Sequence, residues 1–349
     1  MTRLRIAHVC LSNKWNGSEV VAAEYANGSA SDHDVGMIFL EGDSLSHDFY
    51  RQRLDSRVRF AFVADAKSPA ELKSAARALF NGDMPDIFHA HLGPGCRAII
   101  SAFPDSIKLG HMHMRFFTNQ HAKLDGVIAI APWQLRDIPK HFAGKAWLAP
   151  NFFQESEIKP AAEMRSRLQN MLHLSSGAKL VGSVGRLHSD KGIDVLIEAQ
   201  RVLNDENIQL LVFGEGPEEI LLRTRAKGLG NVHFLGYRRD VRHLVAGLDL
   251  FVSASRSEPF GLATLEAMAA GVSVVATRTR GSEGLLEHLQ DRLFPIEDIH
   301  GTAAIIKKFC RSGDVPDYRL ERFDKQKSLA ALNAAYSEAY EQFKQPNVA

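Results

Sequence analysis

Short apolar runs separated by helix-length stretches recur along this chain, and that alternation is the strongest constraint on what it can fold into. In the first half the runs are Leu4–Cys10, Val35–Leu40, Val58–Val63, Asp86–His89, Ile107–His113, Val127–Ile130 and Ala146–Leu148. Helical segments such as Ser18–Asn27, closed by Gly28, and Ala70–Phe80 lie between them. Strands joined through helices run parallel, because a parallel pair needs a crossover rather than a hairpin. The pattern therefore reads as α/β with a doubly wound parallel sheet. From Pro150 to Gly177 the rhythm breaks, ending in Ser-Ser-Gly. A second alternation follows, with strands Lys179–Val184, Gln209–Phe213, Val232–Leu235, 248–254 and 272–277. Its helices are Ile193–Leu203, Glu218–Ala226 and 262–270. With 349 residues the chain can bury two cores. The expected organisation is a domain over 1–150, a linker region over 151–177 and a second domain over 178–318. The tail, about 319–349, carries Leu329, Leu332, Tyr336 and Tyr340 at helical spacing, and a helix that long can return to the first domain.

Two open α/β sheets in tandem are expected to face each other across a cleft, with ligands at their strand C-terminal ends. That favours binding or catalysis over a scaffold. The 42 Lys and Arg nearly balance the 41 Asp and Glu, for a net charge of +1, so nucleic acid is not an expected partner. Cys10, Cys96 and Cys310 form no spaced set, which argues against a disulfide framework or a zinc site. The start, MTRLRIAHVC, lacks a signal peptide's apolar region and cleavage site. No run approaches a membrane span, and the expected compartment is the cytoplasm.

Chemistry-bearing residues cluster at the strand ends of the second half. In VGSVGRLHSDKG (181–192), Arg186 and Lys191 follow a strand and precede a helix. Two cations near a helix N-terminus offer charge and backbone N–H groups to a phosphate. Gly214, in Phe213-Gly-Glu-Gly-Pro, sits in a second strand-to-helix turn, and Tyr237 follows a third strand where it could flank a nucleotide base. In SRSEPFGLATLEAMAAG (255–271) two acids bracket a helix start: Pro259 fits the first turn and Ser257 or Glu258 the cap. The N–H groups around Phe260, Gly261 and Leu262 then face outward, ready for an anion. From Phe260 to Glu266 the helix rises about 9 Å at ~1.5 Å per residue, a span similar to that of a diphosphate. Glu258 can thus reach a sugar on one side of the phosphates and Glu266 a ribose on the other.

In order and spacing, Gly-Arg-Leu-x3-Lys-Gly, Phe-Gly-x-Gly, Phe-Leu-Gly and Glu-x7-Glu resemble the retaining, GT-B-fold glycosyltransferases of family 4 (glycosyl transferases group 1) over residues 178–300. The resemblance implies two Rossmann-like domains, the first on the acceptor side and the second binding a nucleoside-diphosphate sugar. It implies that Arg186 and Lys191 hold the diphosphate, Glu258 meets the donor sugar and Glu266 the ribose. A glycan or glycolipid acceptor, a role in bacterial cell-surface polysaccharide or lipopolysaccharide synthesis, and chemistry without metal or other cofactor are also implied. The first half follows the family less closely. Its loop Ser12-Asn-Lys-Trp-Asn-Gly-Ser-Glu has one glycine, Gly17, where two are common, and Pro150-Asn-Phe-Phe replaces the usual Pro-Asn-Gly. Gly17 and the helix beginning at Ser18 could still approach the diphosphate.

Two His-x-His pairs need an assignment. His89 with His91, and His111 with His113, each share a strand face and could chelate a metal, as in a metal-dependent hydrolase. No Cys, Asp or Glu set completes such a site in the sequence nearby. The resemblance instead gives the donor-sugar position to His113, with His111 as the second choice. Asp32-His-Asp34 reads as a polar loop. The segment Ala161–Leu174 places Met164, Leu168, Met171 and Leu172 near one face with Arg165 and Arg167 beside them. It reads either as a helix packed at the domain junction or as one that could make weak peripheral contact with the inner face of the plasma membrane, with the packed helix the favoured reading. The competing functions are a sugar-nucleotide epimerase of the same fold and a non-catalytic sugar-nucleotide-binding paralogue.

Overall fold

The computed structural model of the chain describes residues 2–42, 45–153 and 160–344. Part of the expected linker, 154–159, and the end of the expected terminal helix, 345–349, lie outside them. Two compact units are formed, Met1–Asn151 with Lys325–Ala349, and Phe152–Asp324.

The first unit contains β1 (Arg5–Cys10), β2 (Asp34–Leu40), β3 (Arg59–Val63), β4 (Ile87–His91), β5 (Ile107–Met112), β6 (Gly126–Ala129) and β7 (Lys145–Leu148). They form one parallel sheet in the order β3-β2-β1-β4-β5-β6-β7. The order reverses between β1 and β4, the switch point at which open sheets take ligands. One face packs its Ala, Val and Phe side chains under the helices Pro69–Leu79 and Leu92–Ala102. The helix Gly17–Ser29 and the terminal helix Lys325–Lys344 also belong to this unit. Leu329, Leu332 and Tyr336 are buried as their spacing predicts, and Tyr340 is half-buried.

Two helix ends differ from expectation. The Gly17–Ser29 helix runs through Gly28 instead of closing there. A Cβ at Gly28 would overlap the Leu329 side chain, so the glycine makes room for the terminal helix. That helix starts at Lys325 rather than near Arg319, after a 3-10 turn at Leu320–Phe323.

The second unit contains β8 (Lys179–Val184), β9 (Ile208–Phe213), β10 (Val232–Gly236), β11 (Leu250–Ser253), β12 (Val274–Thr277) and β13 (Leu293–Phe294). The order is β10-β9-β8-β11-β12-β13, again all parallel, with its switch point between β8 and β11. The two-residue β13 is too short to leave a signal in the sequence. Helices Ile193–Leu203 and Ile299–Ser312 cover one face through Leu196, Ile197, Ile306 and Phe309.

The segment after Pro160 is not a bare connector. Helix Ala161–Leu172 belongs to the second unit, with Met164 and Leu168 fully buried. Arg165 pairs with Asp249 and Arg167 with Asp240. Its apolar face is thus turned into its own unit and its arginines are neutralised, which leaves Met171 exposed and little else for a membrane. No helix among the described residues is long and apolar enough to cross one.

Candidate functional site

In the second unit, three strand-end loops are tied to one another. Gly185 donates its N–H to Phe213, Gly214 to Gly236, and Leu187 to Glu215. Gly214 has φ +128°, and a Cβ there would overlap the carbonyl oxygen of Gly185. The glycine that the sequence places in a turn is therefore also a contact point between the β8 and β9 loops. Tyr237 follows β10 with its ring exposed and its N–H donated to the Glu215 carboxylate, 3.2 Å away.

Arg186 and Lys191 leave the end of β8 in different circumstances. Arg186 is exposed, and no ion pair engages it among the described residues. Lys191 closes a 3-10 turn, Ser189–Lys191, and reaches across the switch point to the loop after β11. Its Nζ donates to Glu258 Oε2 at 2.6 Å. The structure thus brings together two residues far apart in sequence, one from each side of the switch point.

The loop carrying Glu258 is clamped from both sides. Arg256 makes a bidentate pair with Asp194, at 2.8 and 2.9 Å, and pairs with Glu297. Gly281 donates its N–H to the Glu258 carbonyl at 2.9 Å, and a Cβ at Gly281 would crowd the Glu258–Phe260 backbone. Neither clamp was legible in the sequence, because each joins segments distant along the chain.

The helix after this loop starts later than its proline suggests. It spans Leu262–Ala269, with Gly261 at the N-cap at φ +100°. Pro259 therefore precedes the cap and lies outside the first turn. Phe260 is a buried anchor whose ring meets Phe323 edge-on. Gly261 has no side chain with which to cap, so the first N–H groups from Leu262 onward carry no side-chain cap. Glu258 sits beside them: a Cβ on Gly261 would lie 3.5 Å from Glu258 Cγ.

Glu266 is one turn into the helix and pairs with Arg242 of the Val241–Val245 helix at 2.8 Å. Burial raises the Glu266 carboxyl above its ordinary range, and the Arg242 guanidinium opposes that rise. From Leu262 to Glu266 the rise is about 6 Å at ~1.5 Å per residue, shorter than the span expected from a helix that began before Phe260. Arg242 went unremarked in the sequence, where it ends the run Arg238-Arg-Asp-Val-Arg.

In the first unit Gly17 is the exposed first residue of its helix. The cap is Asn16, so the helix begins one residue before Ser18, and the buried Glu19 carboxylate accepts the Asn16 N–H at 3.0 Å.

The histidines are placed less simply than two separate pairs. β4 extends to His91, two residues beyond its expected end, and His113 falls just outside β5. Register pairs His8 with His89 and His91 with His111. The four are buried on one face, with Tyr336 of the terminal helix against them. His113 is half-buried at the strand end. Burial lowers all five imidazoles, to about 3 for His8 and His113, so they are neutral near pH 7. His8, His89 and His91 hold ring nitrogens within 4.8 Å of one another, a set that could ligate a metal. The sequence reading missed this third partner because His8 sits inside an apolar strand. His111 is enclosed by its neighbours and is 1% exposed, which separates it from the half-open His113.

Asp32 and Asp34 are structural. Asp32 accepts from Asn333 and Asp34 pairs with Arg59.

Residues 178–312 match the family model described as Glycosyl transferases group 1. Among curated proteins, the chain is 33% identical over 155 residues to a lipopolysaccharide core biosynthesis glycosyltransferase of Rhizobium meliloti, covering 43% of this chain and 45% of that protein. It is also 33% identical over 171 residues to mannosylfructose-phosphate synthase of Agrobacterium fabrum, covering 44% and 37%. The matched stretch spans less than half the length of these curated relatives. Among solved structures, sucrose-phosphate synthase from Thermosynechococcus elongatus aligns with TM-score 0.78 at 18% identity, over 97% of this chain and 100% of that one. Anabaena HepE, solved with UDP and glucose, aligns with TM-score 0.78 at 20% identity, over 96% and 100%. The likeness shows the fold, a GT-B pair of Rossmann-like units.

Proposed function

We propose that this chain is a glycosyltransferase that takes its sugar from a nucleoside-diphosphate sugar with retention of anomeric configuration and without a metal ion. The observation that carries the reading is the Lys191–Glu258 pair across the β8/β11 switch point, beside a helix N-terminus that has no side-chain cap. A diphosphate needs fixed positive charge, and a hexose needs acceptors for its hydroxyls. The pair supplies both within one hydrogen bond of each other.

The division of labour follows from the chemistry of each group. Lys191 has three N–H donors, so it can hold Glu258 and still offer one to a phosphate oxygen. Arg186 and the Leu262 helix N-terminus add donors that stabilise charge growing on the departing diphosphate. The Glu258 carboxylate, an acceptor only, binds sugar hydroxyls. Glu266, where the Arg242 guanidinium opposes the rise that burial causes, accepts the paired hydroxyls of a ribose. Gly214 and Tyr237 line the strand ends where the base would lie. His113 takes the role that the family resemblance gives it, holding a donor-sugar hydroxyl. The name of one relative, the lipopolysaccharide core biosynthesis glycosyltransferase of Rhizobium meliloti, supports a glycan or glycolipid acceptor in cell-surface polysaccharide synthesis.

The test is a thermal-shift screen of nucleoside diphosphates and their sugars. A cognate donor at a hundredfold excess over its dissociation constant stabilises the fold by about 2.7 kcal/mol. Product formed with that donor in EDTA should keep the donor's anomeric configuration by proton NMR. Inverted product or loss of turnover on chelation would refute the retaining, metal-free mechanism, and binding without turnover would leave a sugar-nucleotide-binding protein.

A further inference from the structure

We propose that His8, His89, His91, His111 and Tyr336 form a directional hydrogen-bond chain that sets the tautomer of His113, with His91 as its immediate positioning residue. The chain can be followed atom by atom. His113 Nε2 lies 3.1 Å from His91 Nδ1, and His91 Nε2 lies 3.0 Å from His8 Nδ1. His8 Nε2 lies 3.3 Å from the Tyr336 hydroxyl, which is 2.6 Å from His89 Nδ1. His89 Nε2 lies 3.3 Å from His111 Nδ1, where the chain stops. His111 Nε2 is buried without a hydrogen-bond partner.

A neutral imidazole has one donor nitrogen and one acceptor nitrogen, and a hydroxyl can donate once while accepting. Every link uses a different nitrogen at each of its rings, and the fully buried Tyr336 hydroxyl donates to one of its two imidazole neighbours, so only two arrangements satisfy all five links. Either all five imidazoles carry the proton on Nδ1, or all five carry it on Nε2. The closed end chooses between them. In the Nε2–H arrangement His111 would hold a buried N–H with nothing to receive it. In the Nδ1–H arrangement the same position is a bare lone pair, and orphaned buried donors are the rarer of the two. Choosing Nδ1–H at His111 sends the polarity along the chain: His91 donates to His113 Nε2, and His113 is left with its Nδ1–H.

An imidazole free in water favours the opposite form, with the proton on Nε2. The buried chain therefore holds His113 in a tautomer it would not otherwise prefer. Its remaining nitrogen is then a donor, suited to a sugar oxygen. This last step rests on the donor-sugar role proposed above; the tautomer itself does not.

The test is long-range proton–nitrogen NMR of the full-length protein labelled with 15N-histidine, in wild type and in His91→Leu and His91→Asn. The expected wild-type spectrum shows Nδ1–H at all five rings, without any substrate. In His91→Leu, His113 should move toward Nε2–H, with turnover down roughly tenfold, the scale of one misdirected hydrogen bond, and nucleoside-diphosphate affinity unchanged. The asparagine amide can still donate to His113, so His91→Asn should restore both the tautomer and most of the rate. Nε2–H at His113 in the wild type overturns the proposal, as does a stoichiometric transition metal bound by His8, His89 and His91. An unaltered His113 tautomer in His91→Leu overturns it too, and an altered tautomer with unaltered turnover overturns the positioning role. If the wild type consumes no nucleotide sugar, the functional reading fails while its spectrum still decides the chain. The same spectrum decides it should His91→Leu not fold.

Discussion

Lys191 and Glu258 meet at 2.6 Å, with side chains about one-third and one-seventh exposed, so the pair is screened but not dissolved by solvent. Each restrains the other, and their variants should differ in kind. Lys191→Ala removes a charged donor and should weaken nucleoside-diphosphate binding on the order of 10- to 100-fold, the equivalent of about 1.5–3 kcal/mol. Glu258→Ala releases the ammonium toward phosphate, so nucleotide affinity should hold or rise while turnover collapses. Glu266→Ala should weaken binding of the nucleotide itself. Calorimetric titration checks all three, and equal affinities across the set would sink the assignment. These three side chains and Arg186 were legible because Gly-Arg-Leu-x3-Lys-Gly and Glu-x7-Glu are local patterns. Arg242, Arg256 and His8 were not, since each acquires its partner only when distant segments fold together.

At the scale of elements, parallel strands buried on both faces write themselves as apolar runs, and every one longer than two residues was visible at nearly its observed limits. Helix ends were harder. Pro259 and Gly28 each carry a strong local meaning, but tertiary packing overrules both: the cap is Gly261, and Gly28 is a gap for Leu329. That reassignment is testable. Gly28→Ala should destabilise the chain by about 1–3 kcal/mol, as overpacking does, although alanine is the better helix former. Leu329→Ala in the same chain should recover part of the loss, measured by urea denaturation as a non-additive pair. A stabilised Gly28→Ala would mean that the terminal helix is not seated against it.

Across the whole molecule, the first unit carries its neutral imidazoles in its interior and the second unit carries no comparable set among the described residues. His8 titrates near 6.5 when unfolded and about 3 when folded. The unfolded chain thus binds protons first as pH falls, so the stability is fully present above pH 6.5 and is lost between there and about 3. Each such group contributes a slope of up to ~1.4 kcal/mol per pH unit. With these five imidazoles, and His33 and His121 of the same unit, lowered by burial, melting should fall steeply from pH 6.5 to 4.5, with hydrogen exchange accelerating first at β1, β4 and β5. A flat melting curve over that range would show the rings to be solvated. The same interior has a consequence for how the protein is made. The helix that covers the histidine face, Lys325–Lys344, leaves the ribosome after the whole of Phe152–Asp324. At about 5–20 residues per second the nascent first half waits roughly 10–40 s for its lid. During synthesis, then, the part made first is the part finished last, and its open imidazole face is what a chaperone or a stray metal ion would meet.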